Sequence, residues 1–168
     1  NAIRYYVNKV GAYTYLNNED SAIIVNNNAA ELFRKYGYKR DADIAFGCNY
    51  GYYVKRNEKE KAKKAFEAYI RANYKGNTNY VDSYAFLLYE KGMFYLLMEQ
   101  NDSAYHYLQN SLMICKTYGN KAATTNGLAN YYSKKGTYEL AAKYALLSSV
   151  YNDSDYIETR KSQLAQQQ

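Results

Sequence analysis

The sequence contains no proline and no tryptophan, and only 9 glycines in 168 residues. This argues against collagen-like, proline-rich and turn-dense β architectures, because nothing supplies their frequent rigid turns. Histidine occurs once, at His106, which rules out histidine-based metal clusters and two-histidine mechanisms within this chain. Two cysteines, Cys48 and Cys115, are too few for a disulfide scaffold and lack metal-ligand spacing. No run approaches 18 consecutive apolar residues, so no membrane span is expected. No basic segment followed by an apolar run opens the chain either. The absence of an initiator methionine and the Gln166-Gln167-Gln168 ending suggest a piece excised from something longer.

What is present is tyrosine: 24 residues against 5 phenylalanines, in a chain 48% hydrophobic and 23% charged. That hydrophobic share can bury a continuous core. Tyrosine packs like phenylalanine but needs a partner or water for its hydroxyl, which suits a thin, extended body. With proline unavailable, helix ends are read from Gly, Asn, Asp and Ser clusters. These fall at Asn17-Asn18, Tyr36-Gly37, Arg56-Asn57, Gly76-Asn77, Asn101-Asp102, Gly119-Asn120, Lys135-Gly136 and Asn152-Asp153. The segments between them are long enough for roughly three to five helical turns. After Asn57, read as an N-cap with Glu60 three residues on, Ala62, Phe66, Tyr69 and Ile70 share one helix face. After Asn101, Ala104, Leu108, Leu112 and Cys115 do the same. The stretch from Tyr84 to Met98 is apolar nearly all round and reads as a central helix.

Self-comparison reveals a period. Tyr13, Tyr50, Tyr95 and Tyr132 recur at spacings of 37, 45 and 37 residues, and Ala22, Ala62, Ala104 and Ala141 at 40, 42 and 37. Small residues recur three before the tyrosine at Gly47, Gly92 and Ala129. Small side chains let two helices approach, and an aromatic beside each gap fills the space left. The fourth unit combines Leu128, Ala129, Tyr132, Gly136, Tyr138, Ala141, Ala145 and Ser148, and the third Leu88, Gly92, Tyr95, Ala104, Leu108 and Ser111. The second keeps Phe46, Gly47, Tyr50, Ala62 and Phe66 with a turn three residues longer, and the first keeps Tyr13, Ala22 and Ala29.

This arrangement resembles the tetratricopeptide repeat family over roughly residues 3 to 150, although the family's inter-repeat proline and leading tryptophan are missing and the periods exceed its usual length. The resemblance implies an all-α, right-handed α-solenoid of about four helix pairs forming a single array over 1–168. Its units are expected near 3–37, 40–76, 81–118 and 121–151, followed by a terminal helix at 154–166. A looser likeness concerns Gly119-Asn120-Lys121, the fourth unit and Tyr151 to Asp155 followed by a Gln-rich helix. These resemble tetratricopeptide sensor regions of envelope-bound bacterial regulators, which implies a periplasmic or cell-envelope location, with a cytoplasmic one as the alternative.

No catalytic motif accompanies His106, which reads as a structural histidine one turn from Asp102 and Asn110. Gly119 to Gly127 holds glycines and a lysine, but not in phosphate-loop order, and reads as an inter-repeat turn. Glu19, Asp20, Asp153 and Asp155 suit helix starts. No cofactor is implied, and the chain reads as non-enzymatic. Net charge is +6, and most of the imbalance lies between Lys55 and Lys75. A basic helix with tyrosines could bind nucleic acid, but the interleaved Glu58, Glu60 and Glu67 favour a solvated outer face.

In stacked helix pairs the leading helices line the concave side. The register places Arg4, Asn8 and Tyr15 of the first unit there, with Asp41 and Tyr52 of the second, Tyr89, Glu90 and Met93 of the third, and Asn126, Asn130 and Lys134 of the fourth. The last three are spaced by four and form one polar stripe. Asparagines can clamp an extended peptide backbone, and Lys134 or Arg4 can hold a carboxylate. Family members that bind carboxyl-terminal peptides use lysines and asparagines in adjacent repeats. Asp41 and Glu90 depart from that pattern. The expected function is a protein- or peptide-binding module, with self-association open. The alternatives are a ligand-sensing region of a larger bacterial signalling or transcription regulator and, more weakly, a basic nucleic-acid-binding solenoid.

Overall fold

A computed structural model describes residues 18–74 and 81–166. Among them the chain is all-helical, with eight helices and no strand. Arg4, Asn8, Tyr13 and Tyr15 lie outside the described residues. The chain divides into two compact units, Asn1–Lys75 and Gly76–Gln168.

The described part of the first unit comprises α1 (Glu19–Lys35), α2 (Lys39–Gly47), α3 (Tyr50–Lys55) and α4 (Lys59–Tyr74). Asn18 caps α1 by accepting a hydrogen bond from the Ser21 amide at 3.0 Å. α2 and α3 are two halves of one rod, interrupted at Cys48-Asn49, a break that the composition of turn residues does not announce. Asn49 is fully buried and accepts from Asn26 Nδ2 at 2.7 Å while its own Nδ2 donates to Asn27 Oδ1 at 3.0 Å. No buried side-chain polar atom of this asparagine set is left without a partner, which is what allows it inside. The Glu19–Lys55 ion pair, the Asn26–Asn49 bond and the packing of Phe33 with Ala42 show α1 running antiparallel to the α2–α3 rod, because the partner number falls as the α1 number rises. Ala29, Phe33 and Ala42 form a buried cluster between them.

The rod pairs antiparallel with α4. Arg40 Nε donates to the Ala72 carbonyl at 3.0 Å, and Tyr50 packs on Phe66 and Tyr69 at ring distances of 5.3 and 5.7 Å. The approach is closest at Gly47, where a Cβ would stand 2.8 Å from Tyr69 Cα. This is the close helix contact that the small residue at Gly47 led us to expect.

The second unit contains α5 (Val81–Leu97), α6 (Asn101–Ile114), α7 (Tyr118–Lys134) and α8 (Tyr138–Ala165). α5 with α6 and α7 with α8 form antiparallel hairpins, and α7 also packs on both α5 and α6. Leu96, Ala104, Leu108, Leu128 and Tyr131 make its core, with Tyr95, Leu112, Tyr132 and Tyr144 packed around.

Four helices end in the same way. Gly37, Asn57, Glu99 and Gly136 have φ of 81°, 58°, 60° and 73°, and each left-handed residue closes a Schellman turn. Glu58, Gln100 and Thr137 donate their amides to the Tyr53, Tyr95 and Tyr132 carbonyls, each at 2.9 Å. These turns correct the register expected from the sequence. Tyr53, not Tyr50, is the equivalent of Tyr95 and Tyr132, with spacings of 42 and 37 that agree with those of Ala62, Ala104 and Ala141. The longer turn expected in that unit disappears, because Tyr50 lies one helical turn before the equivalent position. Gly92 then corresponds to Tyr50, so Gly47 makes its close contact outside the repeated small position expected for it. Asn57 is correspondingly the left-handed end of α3 and not the N-cap of α4.

Two other boundaries differ. Gly119 and Asn120 lie inside the first turn of α7, since the break falls at Cys115 to Thr117. No break occurs at Asn152-Asp153: α8 runs unbroken through both, so the segment at 154–166 is its continuation rather than a separate helix. Isolated Asn and Asp cost a helix little when their side chains reach solvent, and both are exposed here.

Candidate functional site

The second unit repeats its internal contacts at a shift of 37 residues. Ser111 Oγ of α6 donates to the Ala85 carbonyl of α5 at 2.7 Å, and Ser148 Oγ of α8 donates to the Ala122 carbonyl of α7 at 2.9 Å. Both serines are buried. Tyr95 stacks on Tyr107 at 5.3 Å and 4°, and Tyr132 on Tyr144 at 5.4 Å and 9°. Each serine hydroxyl finds its one acceptor on the facing rod, so the pair of helices is fixed in both distance and sliding register.

Successive leading helices are tied side by side. Near their starts Asp82 Oδ1 accepts from the Lys116 and Thr117 amides at 2.7 and 3.1 Å, while Asn120 Nδ2 donates to the Asp82 carbonyl at 2.9 Å. The donated amides hold the Asp82 carboxyl below the ordinary carboxylate range, that of Lys116 contributing most. Near their ends Lys134 Nζ donates to the Leu96 carbonyl at 3.1 Å. Start meets start and end meets end, so α5 and α7 run parallel. Between these ties, a Cβ on Gly127 would lie 2.8 Å from Leu108 Cδ2 and 3.1 Å from Met93 Sδ.

This geometry sorts the candidate residues. Asn126 and Asn130 are exposed on α7, one turn apart, and Lys134 continues the stripe. Lys134 is already engaged at Leu96, so its ammonium closes the α5 terminus as well as facing outward. Tyr89 and Met93 are half-buried against the core cluster at the α5–α7 contact. They pack there instead of standing open in a groove, and burial pushes the Tyr89 phenol above its usual range. Glu90 is half-buried and engaged. Asp41 in the first turn of α2 and Tyr52 in α3 are half-buried members of the first unit. The structure therefore brings Asn126, Asn130 and Lys134 together, with Tyr89 and Met93 in the packing beneath α7.

Half of the basic stretch is ion-paired within the first unit. Lys55 pairs with Glu19 at 2.6 Å, Arg56 with Asp20 at 2.5 Å and Arg71 with Asp43 at 3.1 Å, while Lys61 pairs with Glu58. Four of its eight cations thus face carboxylates, two of which come from α1. Cys115 is buried and its thiol is pushed up by desolvation, the opposite of an activated nucleophile. His106 is exposed and contacts Asn110 Nδ2 at 3.0 Å. No group of three or more His, Cys, Asp or Glu among the described residues is placed to hold a metal ion. No helix among them is long and apolar enough to cross a membrane.

The Ser111 and Ser148 bonds and the Asp82 tie were not singled out by sequence reasoning. Ser111 and Ser148 nevertheless sit at the last position of the quoted third- and fourth-unit patterns, which was the available signal. Comparison of the chain with family models, with curated proteins and with solved structures finds no match.

Proposed function

We propose that this chain is a non-enzymatic scaffold of tetratricopeptide-like helix pairs that binds an extended protein or peptide segment along its leading helices. The observation that carries this reading is the exposed Asn126, Asn130 and Lys134 stripe on a leading helix whose position is fixed at both ends, by Asp82 and by Leu96. Pre-positioned asparagines offer both a donor and an acceptor to a peptide backbone, and a fixed helix loses little freedom on binding. The repeated serine bonds and tyrosine stacks support the solenoid reading, because contacts that recur at one shift are what stacked units produce. Neutralisation of half the basic stretch weighs against the nucleic-acid alternative.

The test is selection of binders from a displayed random-peptide library, followed by affinity measurement against Asn126→Ala/Asn130→Ala. The double variant is expected to keep its helicity and bind at least about tenfold more weakly. Equal affinities would reject the stripe as the binding site, and failure to select any peptide would reject the peptide-binding reading.

A further inference from the structure

The outward positions of the trailing helices change character along the chain. The residues at one outer position are Glu67 in α4, Gln109 in α6 and Leu146 in α8, related by the same shifts of 42 and 37 that align the turns. Ile114, the last residue of α6, corresponds to Tyr151, yet α8 continues to Ala165. Along this helix Leu146, Val150, Ile157 and Leu164 are 69%, 52%, 53% and 55% exposed.

These residues are not scattered. Leu146, Val150, Asp153, Ile157, Arg160 and Leu164 follow one another at steps of 4, 3, 4, 3 and 4, the spacing of a seam on which two helices wind. The seam lies on the side of α8 opposite Tyr144, Ser148 and Tyr151, which face α7. It is therefore free to meet another helix while the hairpin stays intact.

We propose that this seam is a self-association surface, occupied by α8 of a second copy of the chain running antiparallel. The two charges within the seam choose both the occupant and its direction. A parallel copy would set Asp153 on Asp153 and Arg160 on Arg160, two like-charge layers in an apolar seam. An antiparallel copy centred near Asp155 sets Leu146 against Leu164 of the other copy. It also lays the Arg160 stem on Val150 of the other copy, with the guanidinium one turn from that copy's Asp153. Both copies gain the same contacts, as a two-fold interface requires. The area is on the order of 600 Å² per copy, at the lower edge of specific interfaces, which fits a dimer that forms in the micromolar range.

Sedimentation equilibrium of the 168-residue chain is expected to show a reversible dimer. Ile157→Glu is expected to weaken it at least about tenfold with unchanged circular dichroism, since the side chain is exposed in the single chain. Orientation is read in a Cys48→Ala background by mixing Leu146→Cys and Leu164→Cys copies under oxidation. Disulfides between the two different variants are expected to dominate. A chain that stays monomeric to about 100 μM, a dimer indifferent to Ile157→Glu, or predominant disulfides between identical variants would each overturn the proposal.

Discussion

The contact between α2 and α4 gives the sharpest quantitative test, because two glycines four residues apart in the same rod predict opposite outcomes. A Cβ on Gly47 would lie 2.8 Å from both the Cα and the amide nitrogen of Tyr69, whereas one on Gly51 would meet nothing within 4 Å. Ordinary van der Waals contact begins near 3.4 Å, so α4 would have to retreat by about 0.6 Å. The obstacle is backbone inside a helix, which cannot rotate away as a side-chain tip can. Overpacking of this kind costs about 1–3 kcal/mol. Alanine's advantage over glycine in a helix offsets about 0.5–1 kcal/mol of that, leaving a net cost for Gly47→Ala of up to about 2.5 kcal/mol. Gly51→Ala receives the offset without the cost and should be stabilised by about 0.5–1 kcal/mol. Urea unfolding followed by far-ultraviolet circular dichroism measures both, with the slope checked for constancy. Gly47→Ala matching or exceeding the stability of Gly51→Ala would refute the close approach.

Ser111→Ala should cost about 1–3 kcal/mol in the same assay, because it removes the bond to the Ala85 carbonyl and leaves the Thr124 hydroxyl, 2.9 Å away, without that partner. A neutral result would count against the serine tie. Glu99→Gly should stabilise by up to about 1 kcal/mol, since Glu99 holds φ at 60° and glycine removes the Cβ clash at that angle. Lower stability would show that Glu99 contributes more than a turn. Tyr132 is pushed up to about 12, first by burial and then by its hydrogen bond with Tyr105. Its folded value lies above the unfolded one, so its contribution is complete below pH 10 and is lost as the pH rises from there through 12. Alkaline spectrophotometric titration should show a late-ionising phenol that Tyr132→Phe removes, and an unchanged late phase would contradict the assignment. Asp82 works in the other direction: its folded value is depressed, so its contribution is present above the ordinary carboxyl value of 3.8 and fades as the pH falls through the folded value. Asp82→Asn should flatten that acid limb of the stability curve, and an identical limb would rule it out.

Much of the helical pattern was legible because its signals are local. Gly37 and Gly136 mark turns that require positive φ, and Ala62, Ala104 and Ala141 mark one repeating face. Glu99 was invisible as a turn residue because nothing about glutamate favours φ of 60°; the flanking helices impose it. The tyrosine register slipped by three because Tyr50 and Tyr53 lie one turn apart and both are aromatic, and only the amide from Glu58 to Tyr53 distinguishes them. Asn152 and Asp153 read as a break in the sequence, but their turn preference is weaker than the continuity of α8. At the candidate site, exposure of Asn126 and Asn130 followed from their spacing. The engagement of Lys134 with Leu96 could not, because it joins residues 38 apart across two helices. Tyr89 and Met93 seemed surface-bound because the absence of a side chain at Gly127, which makes room for them, leaves no periodic trace.

The most direct measurement of the central claim is the pattern of inter-ring contacts by nuclear magnetic resonance in the second unit. Repeating hairpins predict ring-to-ring contacts between Tyr95 and Tyr107 and between Tyr132 and Tyr144 alike, since the two stacks are one arrangement met twice. Contacts within one pair and none within the other would contradict the repeat, and with it the proposal of a repeat scaffold.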